Sequence, residues 1–166
     1  MDVSRTPEPH ERLEHLAFLI GEWHGLGVGG YPDLPEFRYE QEVSFSHDGR
    51  PFLAYTSQTW LIDDAGQRLR PSGTERGFWR PGAAPRDVEV LLAHPTGIVE
   101  VYIGEVVFTK VELVTDVVAR TATAKPVTAL KRLYGLVEGD LAYAVDMAAV
   151  EQPMQSHLSA RLRRTS

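Results

Sequence analysis

The chain contains no cysteine. That excludes a disulfide framework, a thiolate nucleophile and any cysteine-held zinc or iron–sulfur centre, so a metal would have to be held by His, Asp, Glu or a prosthetic group. Positive charge is also scarce: 17 Lys and Arg stand against 23 Asp and Glu, for a formal net charge of −6. Such a chain has no basic field to gather phosphates, which disfavours nucleic acid or an anionic membrane as a partner. Its one basic cluster, Arg161, Arg163 and Arg164, reads as a solvated C-terminal end. No apolar run approaches the roughly 20 residues that span a bilayer. The segment from Met1 to Pro9 carries acid where a secretory signal needs basic and then apolar residues, so a cytoplasmic location is expected.

Several catalytic signatures are missing as well. The histidines at 10, 15, 24, 47, 94 and 157 never fall at a metal-site spacing such as His-x-x-x-His, which disfavours a zinc hydrolase. There is no Gly-x-Ser-x-Gly elbow. The glycine-rich run Gly25 to Gly30 follows a helix pattern and leads into Tyr31-Pro32, whereas a dinucleotide fingerprint needs a strand before it and a helix after.

What is present is periodicity of two. In Glu36–Phe45 the residues Phe37, Tyr39, Val43 and Phe45 alternate with Arg38, Glu40, Glu42 and Ser44, a half-buried strand. Strand-like stretches follow at Phe52–Ile62, Gly77–Arg80, Val88–Ala93, Gly97–Ile103, Val106–Val114, Val117–Thr123, Val127–Leu136 and Leu141–Val150, with a last one from about His157 to Arg163. Asp48-Gly49, Asp64-Ala65-Gly66, Pro81-Gly82, Pro95-Thr96-Gly97 and Glu138-Gly139-Asp140 supply turns. Before the strands, Leu13, Leu16, Ala17 and Ile20 recur at helical spacing, predicting one short amphipathic helix over His10–Ile20. Residues 1–9, with two prolines, are expected to form a flexible tail, and residues 10–166 one domain. An all-β fold of about ten antiparallel strands tends to close into a barrel, which removes exposed edges and encloses either side chains or one small ligand.

Within that frame, Gly21-Glu22-Trp23-His24-Gly25-Leu26-Gly27 is too rich in glycine for an ordinary strand, and marks a barrel corner or a close approach by a ligand or another backbone. Taken alone, Trp23 reads as a plug for one barrel end, and Trp60 and Trp79 as core. An isolated histidine is ordinarily structural, and His157 begins on that footing.

The ordered motifs carry more weight. Gly21-x-Trp23-x-Gly25-x-Gly27, Tyr31-Pro32 and Phe37-x-Tyr39-x-x-Glu42 resemble the opening of the nitrobindin family. The match continues through Ser46 to Pro51, Tyr55-Thr56, Leu91 to Gly97, and Met147 through Gln152-Pro153-Met154-Gln155-Ser156-His157-Leu158. The resemblance spans about Leu16 to Arg163. It implies a ten-stranded barrel similar to fatty-acid-binding proteins, holding one haem b per chain. It further implies His157 as the proximal iron ligand and the residue on which catalysis depends, with Gly21, Trp23, Gly25, Gly27 and Asp33 as candidate cofactor contacts. The implied chemistry is isomerisation of peroxynitrite to nitrate by the ferric form and nitric oxide binding by the ferrous form, in scavenging or sensing, by a monomer or homodimer.

Two departures from the family pattern stand out. Asp33 follows Tyr31-Pro32 where a threonine is common, and Pro71-Ser72-Gly73-Thr74 lacks the histidine often found on the distal side. Strict alternation in the last strand puts Leu158, Ala160 and Leu162 inward and His157 outward, so His157 is expected at the barrel mouth or beside a bulge that resets the parity. The alternative function is a non-enzymatic carrier of an apolar ligand, with Arg132 or Arg120 as a conceivable partner for a fatty carboxylate.

Overall fold

A computed structural model describes residues 5–166. Part of the tail expected over residues 1–9 therefore lies outside the described residues; residues 5–9 are exposed and have no regular structure. The described chain forms a short 3-10 helix, Glu11–Leu19, followed by ten strands: β1 (Gly21–Tyr31), β2 (Leu34–Ser46), β3 (Leu53–Ile62), β4 (Arg68–Pro81), β5 (Asp87–His94), β6 (Ile98–Val107), β7 (Lys110–Arg120), β8 (Val127–Val137), β9 (Asp140–Ala149) and β10 (Gln155–Arg164). Each strand pairs antiparallel with its sequence neighbours, and β1 pairs with β10 to close the barrel. Among the described residues, no helix is long and apolar enough to cross a membrane.

The all-β barrel expected from periodicity is the one observed, with differences at its edges. The helix is 3-10 rather than α. Its buried face is Leu13, Leu16 and Leu19, each wholly inaccessible, and a spacing of three suits a helix with three residues per turn. The expected strand Val106–Val114 spans what is really the β6–β7 turn. Phe108 takes a left-handed φ of 56° there, so this turn has none of the usual Gly or Asn punctuation. Strand β4 begins nine residues before Gly77, carrying Pro71 and the Ser72-Gly73 stretch within it.

The helix closes one barrel end. Trp23 is buried beneath it and donates its indole N–H to the Leu19 carbonyl at 2.9 Å. Arg164, at the end of β10, lies over the Trp23 ring at 4.2 Å and donates to the carbonyls of Phe18 and Ile20. Helix C-terminal carbonyls lack intrahelical partners, and this guanidinium supplies them. Inside the barrel the packed residues include Phe45, Leu53, Trp79, Val90, Leu92, Leu113 and Leu141, all nearly or fully inaccessible. Trp79 is core, as expected; Trp60 is not. It faces outward on β3 opposite Glu40, and the Arg68 guanidinium stacks on it at 3.6 Å.

Candidate functional site at the open end of the barrel

His157 owes its position to a bulge. Along the β9–β10 ladder, Ser156 pairs with Asp146 and Leu158 with Val145, so His157 is the extra residue in between. On the facing strand, the β1–β2 register shifts between Gly29 and Tyr31. The two irregularities meet, and His157 Nδ1 donates to the Gly30 carbonyl at 3.0 Å. The reset of alternation expected from the sequence is therefore present, and Leu162 remains buried in spite of it. Tyr31 meets the His157 ring edge-on, with centroids 5.7 Å apart. Its hydroxyl donates to the Met147 carbonyl and accepts from Ala149 N–H, each at 2.9 Å, which ties the end of β1 to the end of β9.

Half-burial disfavours the charged imidazole and lowers the His157 pKa, a loss of solvation only partly offset by the bond to Gly30. With Nδ1–H committed to a carbonyl, the neutral ring keeps its lone pair on Nε2. A histidine oriented by a backbone carbonyl through one nitrogen presents the other as a metal donor. His157 lies at the rim between an inner cavity of about 170 Å³ and a shallow outer groove of about 390 Å³ flanked by Gly29, Gly30, Leu34 and Glu36. The inner cavity is smaller than the roughly 300–1,000 Å³ of ordinary small-molecule sites, so a macrocycle does not fit wholly inside it. A donor nitrogen at the rim, with Phe37 and Leu158 as apolar wall, fits a flat metal-bearing group.

The other candidate contacts go elsewhere. Gly21, Trp23, Gly25 and Gly27 do not line this cavity, and the structure gives them packing roles. Trp23 is the plug below the helix, and Gly21, with φ of 137°, sits beside Arg164 and Ser166. A side chain at Gly25 would run into the β10 backbone at Arg161 and Leu162, and one at Gly27 into the Tyr39 ring. Asp33 lies exposed on the β1–β2 turn, where its charge opposes the fall in the His157 pKa. Ser72 and Gly73, from the stretch without a histidine, do line the cavity.

Deeper in the cavity is a polar network that sequence motifs did not reveal. Arg132, 6% exposed on β8, donates from Nη1 and Nη2 to the two oxygens of Glu75 on β4, at 3.1 and 2.5 Å. It also reaches the Tyr102 hydroxyl at 2.9 Å, the Tyr134 hydroxyl at 3.2 Å and Glu100 at 3.4 Å. Tyr55 donates to Glu75 at 2.8 Å, Tyr102 to Glu100 at 2.9 Å, and His94 Nε2 to Glu100 at 2.8 Å. Burial alone would raise the Glu75 carboxyl, but the charge and hydrogen bonds of Arg132 prevail and hold it at about 2. Glu75, His94 and Glu100 bring three potential metal-ligand atoms within 4.8 Å of one another, yet Arg132 already donates to both carboxylates and stands where a cation would. The same pairing leaves Arg132 without a spare charge for a fatty carboxylate, and Arg120 is exposed at the end of β7.

His94 adds a pH dependence. Desolvation works against its charge, but the carboxylates of Glu100 and Glu75 win and raise its pKa. A raised folded-state pKa means a stabilising contribution fully present below the unfolded value of about 6.5 and lost as pH rises through the folded value. Denaturation midpoints of wild type and His94→Gln should therefore differ most below that pH and converge above the folded value. A gap that widens with alkalinity would contradict this account.

The family model described as "THAP4-like, heme-binding beta-barrel domain" matches residues 12–164. A protein of Frankia casuarinae named peroxynitrite isomerase is 55% identical, covering 99% of this chain and 91% of the relative. One of Kineococcus radiotolerans named ferric nitrobindin-like protein is 47% identical, covering 93% of each. The crystal structure of Rv2717c from M. tuberculosis superposes with a TM-score of 0.85 at 40% identity, over 96% of this chain and all of that one. With a model match from the helix to the last strand and relatives of this identity over almost their whole length, the chain belongs to the THAP4-like family of haem-binding β-barrel domains.

Proposed function

We propose that the protein is a haem-dependent peroxynitrite isomerase that holds one haem b through His157. The observation that carries this is the bulged His157, its Nδ1–H given to Gly30 and its Nε2 left as a donor at the rim of the cavity. Membership of a haem-binding family and the names of the relatives support it. When bound, ferric haem would supply a Lewis-acidic iron for the peroxynitrite anion, which rearranges to nitrate with no net gain or loss of atoms.

The chain's own part is to bind, orient and shield. Gly30 fixes the His157 tautomer, while Tyr31 packs against the ring edge. Phe37 and Leu158 exclude water from the inner side of the rim. The Arg132 network sets the polarity of the cavity floor with its charges internally paired. Binding of nitric oxide to the ferrous form, with a sensing role, belongs to the same proposal.

Stopped-flow decay of peroxynitrite, comparing ferric protein, apoprotein and free haemin at fixed pH, tests the activity. The ferric protein should speed decay, raise nitrate yield and protect free tyrosine from nitration; apoprotein should not. Equal rates in ferric protein and buffer would reject the isomerase. Because ligation needs neutral imidazole, acid should also compete with iron for His157, and the Soret band should fade below the already lowered His157 pKa.

A further inference from the structure

All six tyrosines point into the barrel, none more than 9% exposed. Tyr39, Tyr55, Tyr134 and Tyr143 line the same cavity as His157. Their rings form a connected set through Trp79: centroids lie 6.1 Å apart for Tyr55 and Trp79, 5.1 Å for Trp79 and Tyr134, and 5.5 Å for Tyr134 and Tyr143. The Tyr143 and Tyr39 hydroxyls are 2.6 Å apart. Phenol and indole rings are the readily oxidised aromatic groups of a protein, and here four phenols, with Trp79 packed against two of them, line a cavity proposed to receive a strong oxidant.

Which ring would give up an electron depends on where its proton can go, since a phenol that loses an electron becomes a strong acid. Tyr143 donates to the neutral amide oxygen of Gln41 at 2.6 Å, a weak base. The Tyr134 oxygen accepts from the Arg132 guanidinium, which disfavours a positive charge there. Among the described residues the Trp79 N–H has no partner. Tyr102 does donate to a carboxylate, Glu100, but it does not line the cavity and its oxygen also faces Arg132 Nε. Among the described residues, Tyr55 alone combines a place on the cavity wall with donation to a carboxylate, Glu75, at 2.8 Å. Glu75 stays ionised to low pH through its pairing with Arg132, so the acceptor is available whenever the enzyme works.

We propose that Tyr55, hydrogen-bonded to Glu75, is an internal one-electron reductant that intercepts nitrogen dioxide radical in the cavity. This rests on the proposed peroxynitrite chemistry, which brings peroxynitrite to the cavity: homolysis of its carbon dioxide adduct divides the O–O bond into one nitrogen dioxide and one carbonate radical, and two such events supply the two nitrogen dioxides used below. Nitrogen dioxide takes one electron from the Tyr55 phenol and becomes nitrite. The phenolic proton crosses the hydrogen bond to Glu75 Oε1, leaving a neutral tyrosyl radical. A second nitrogen dioxide adds at the ring carbon ortho to the oxygen, and the hydrogen of that carbon moves to the phenolic oxygen. The product is 3-nitrotyrosine, and Glu75 returns its proton to solvent.

The test treats apoprotein and haem-loaded protein with peroxynitrite in bicarbonate buffer, where its decay yields nitrogen dioxide and carbonate radicals. Peptide mapping locates 3-nitrotyrosine, and freeze-quench electron paramagnetic resonance measures tyrosyl radical. Tyr55 should be the first residue nitrated in both forms. Tyr55→Phe should remove more than half of the radical signal, whereas Tyr102→Phe should leave it. The wild-type map decides the matter even if a variant folds poorly. Nitration led by Tyr39, Tyr134 or Tyr143, or spread evenly over the six, overturns the assignment. Tyr55 marked in a protein without isomerase activity would uphold the Tyr55–Glu75 pair and reject the proposed function instead.

Discussion

His157→Ala should abolish the histidine-type Soret band of the haem-loaded protein and leave the barrel folded. Substitutions of residues that merely orient a metal ligand typically cost about 10–100-fold in affinity, so removal of the ligand itself should exceed that. The fold should tolerate the change because His157 is a half-buried bulge residue outside the regular β9–β10 pairing, whose side chain makes one hydrogen bond among the described residues, to Gly30. Its loss should cost no more than about 1 kcal/mol. Haemin titration followed by absorbance, with far-ultraviolet circular dichroism as the control for folding, checks both halves. Added imidazole should restore part of the band in the variant by replacing the missing ring. A variant that keeps the wild-type spectrum and affinity would show that the iron is held elsewhere, and would remove the observation on which the proposed function stands.

Arg132→Met should be the most destabilising single substitution in the cavity, by about 3–5 kcal/mol, because it leaves the Glu75 and Glu100 carboxylates buried without their main counter-charge. For a chain of this size that corresponds to a fall in Tm on the order of 10 °C. The loss should come from the orphaned charges and not from missing volume. Arg132→Met combined with Glu75→Gln and Glu100→Gln should therefore recover much of it, since replacing a whole buried ionic group is far less costly than breaking it. Urea midpoints of wild type, single variant and triple variant provide the measurement. A single-variant loss under about 1 kcal/mol would mean that the network is well solvated and that its charges do not depend on one another.

Much of the barrel was legible because period-two alternation is a local property. Tyr39, Val43 and Phe45 face inward on β2 as their spacing implied. The β6–β7 turn was not legible, since Phe108 carries no turn chemistry and adopts its left-handed φ where the two strands must reverse. Alternation also held a clue to the buried network that motif spacing did not. Glu100 lies between Ile98 and Tyr102 on β6, and Arg132 between Leu130 and Tyr134 on β8. Each charge thus occupies an inward slot, and an inward charge must find a partner.

What the sequence determined by itself was the set of strands, their inward faces, the chemistry excluded by the absence of cysteine and of histidine pairs, and, through ordered motifs, the family and His157 as a candidate ligand. Tertiary structure alone decided how residues far apart in the chain meet. It separated Gly25 and Gly27, which serve the close approach of β10 and Tyr39, from the cavity. It brought Glu75, His94, Glu100 and Arg132 from four strands to one point. It set the two coincident register shifts that aim His157 at Gly30. The physical reason is that hydrophobic periodicity is written residue by residue along a strand, whereas bulges, charge pairing and close approach are set by which strands become neighbours once the sheet closes.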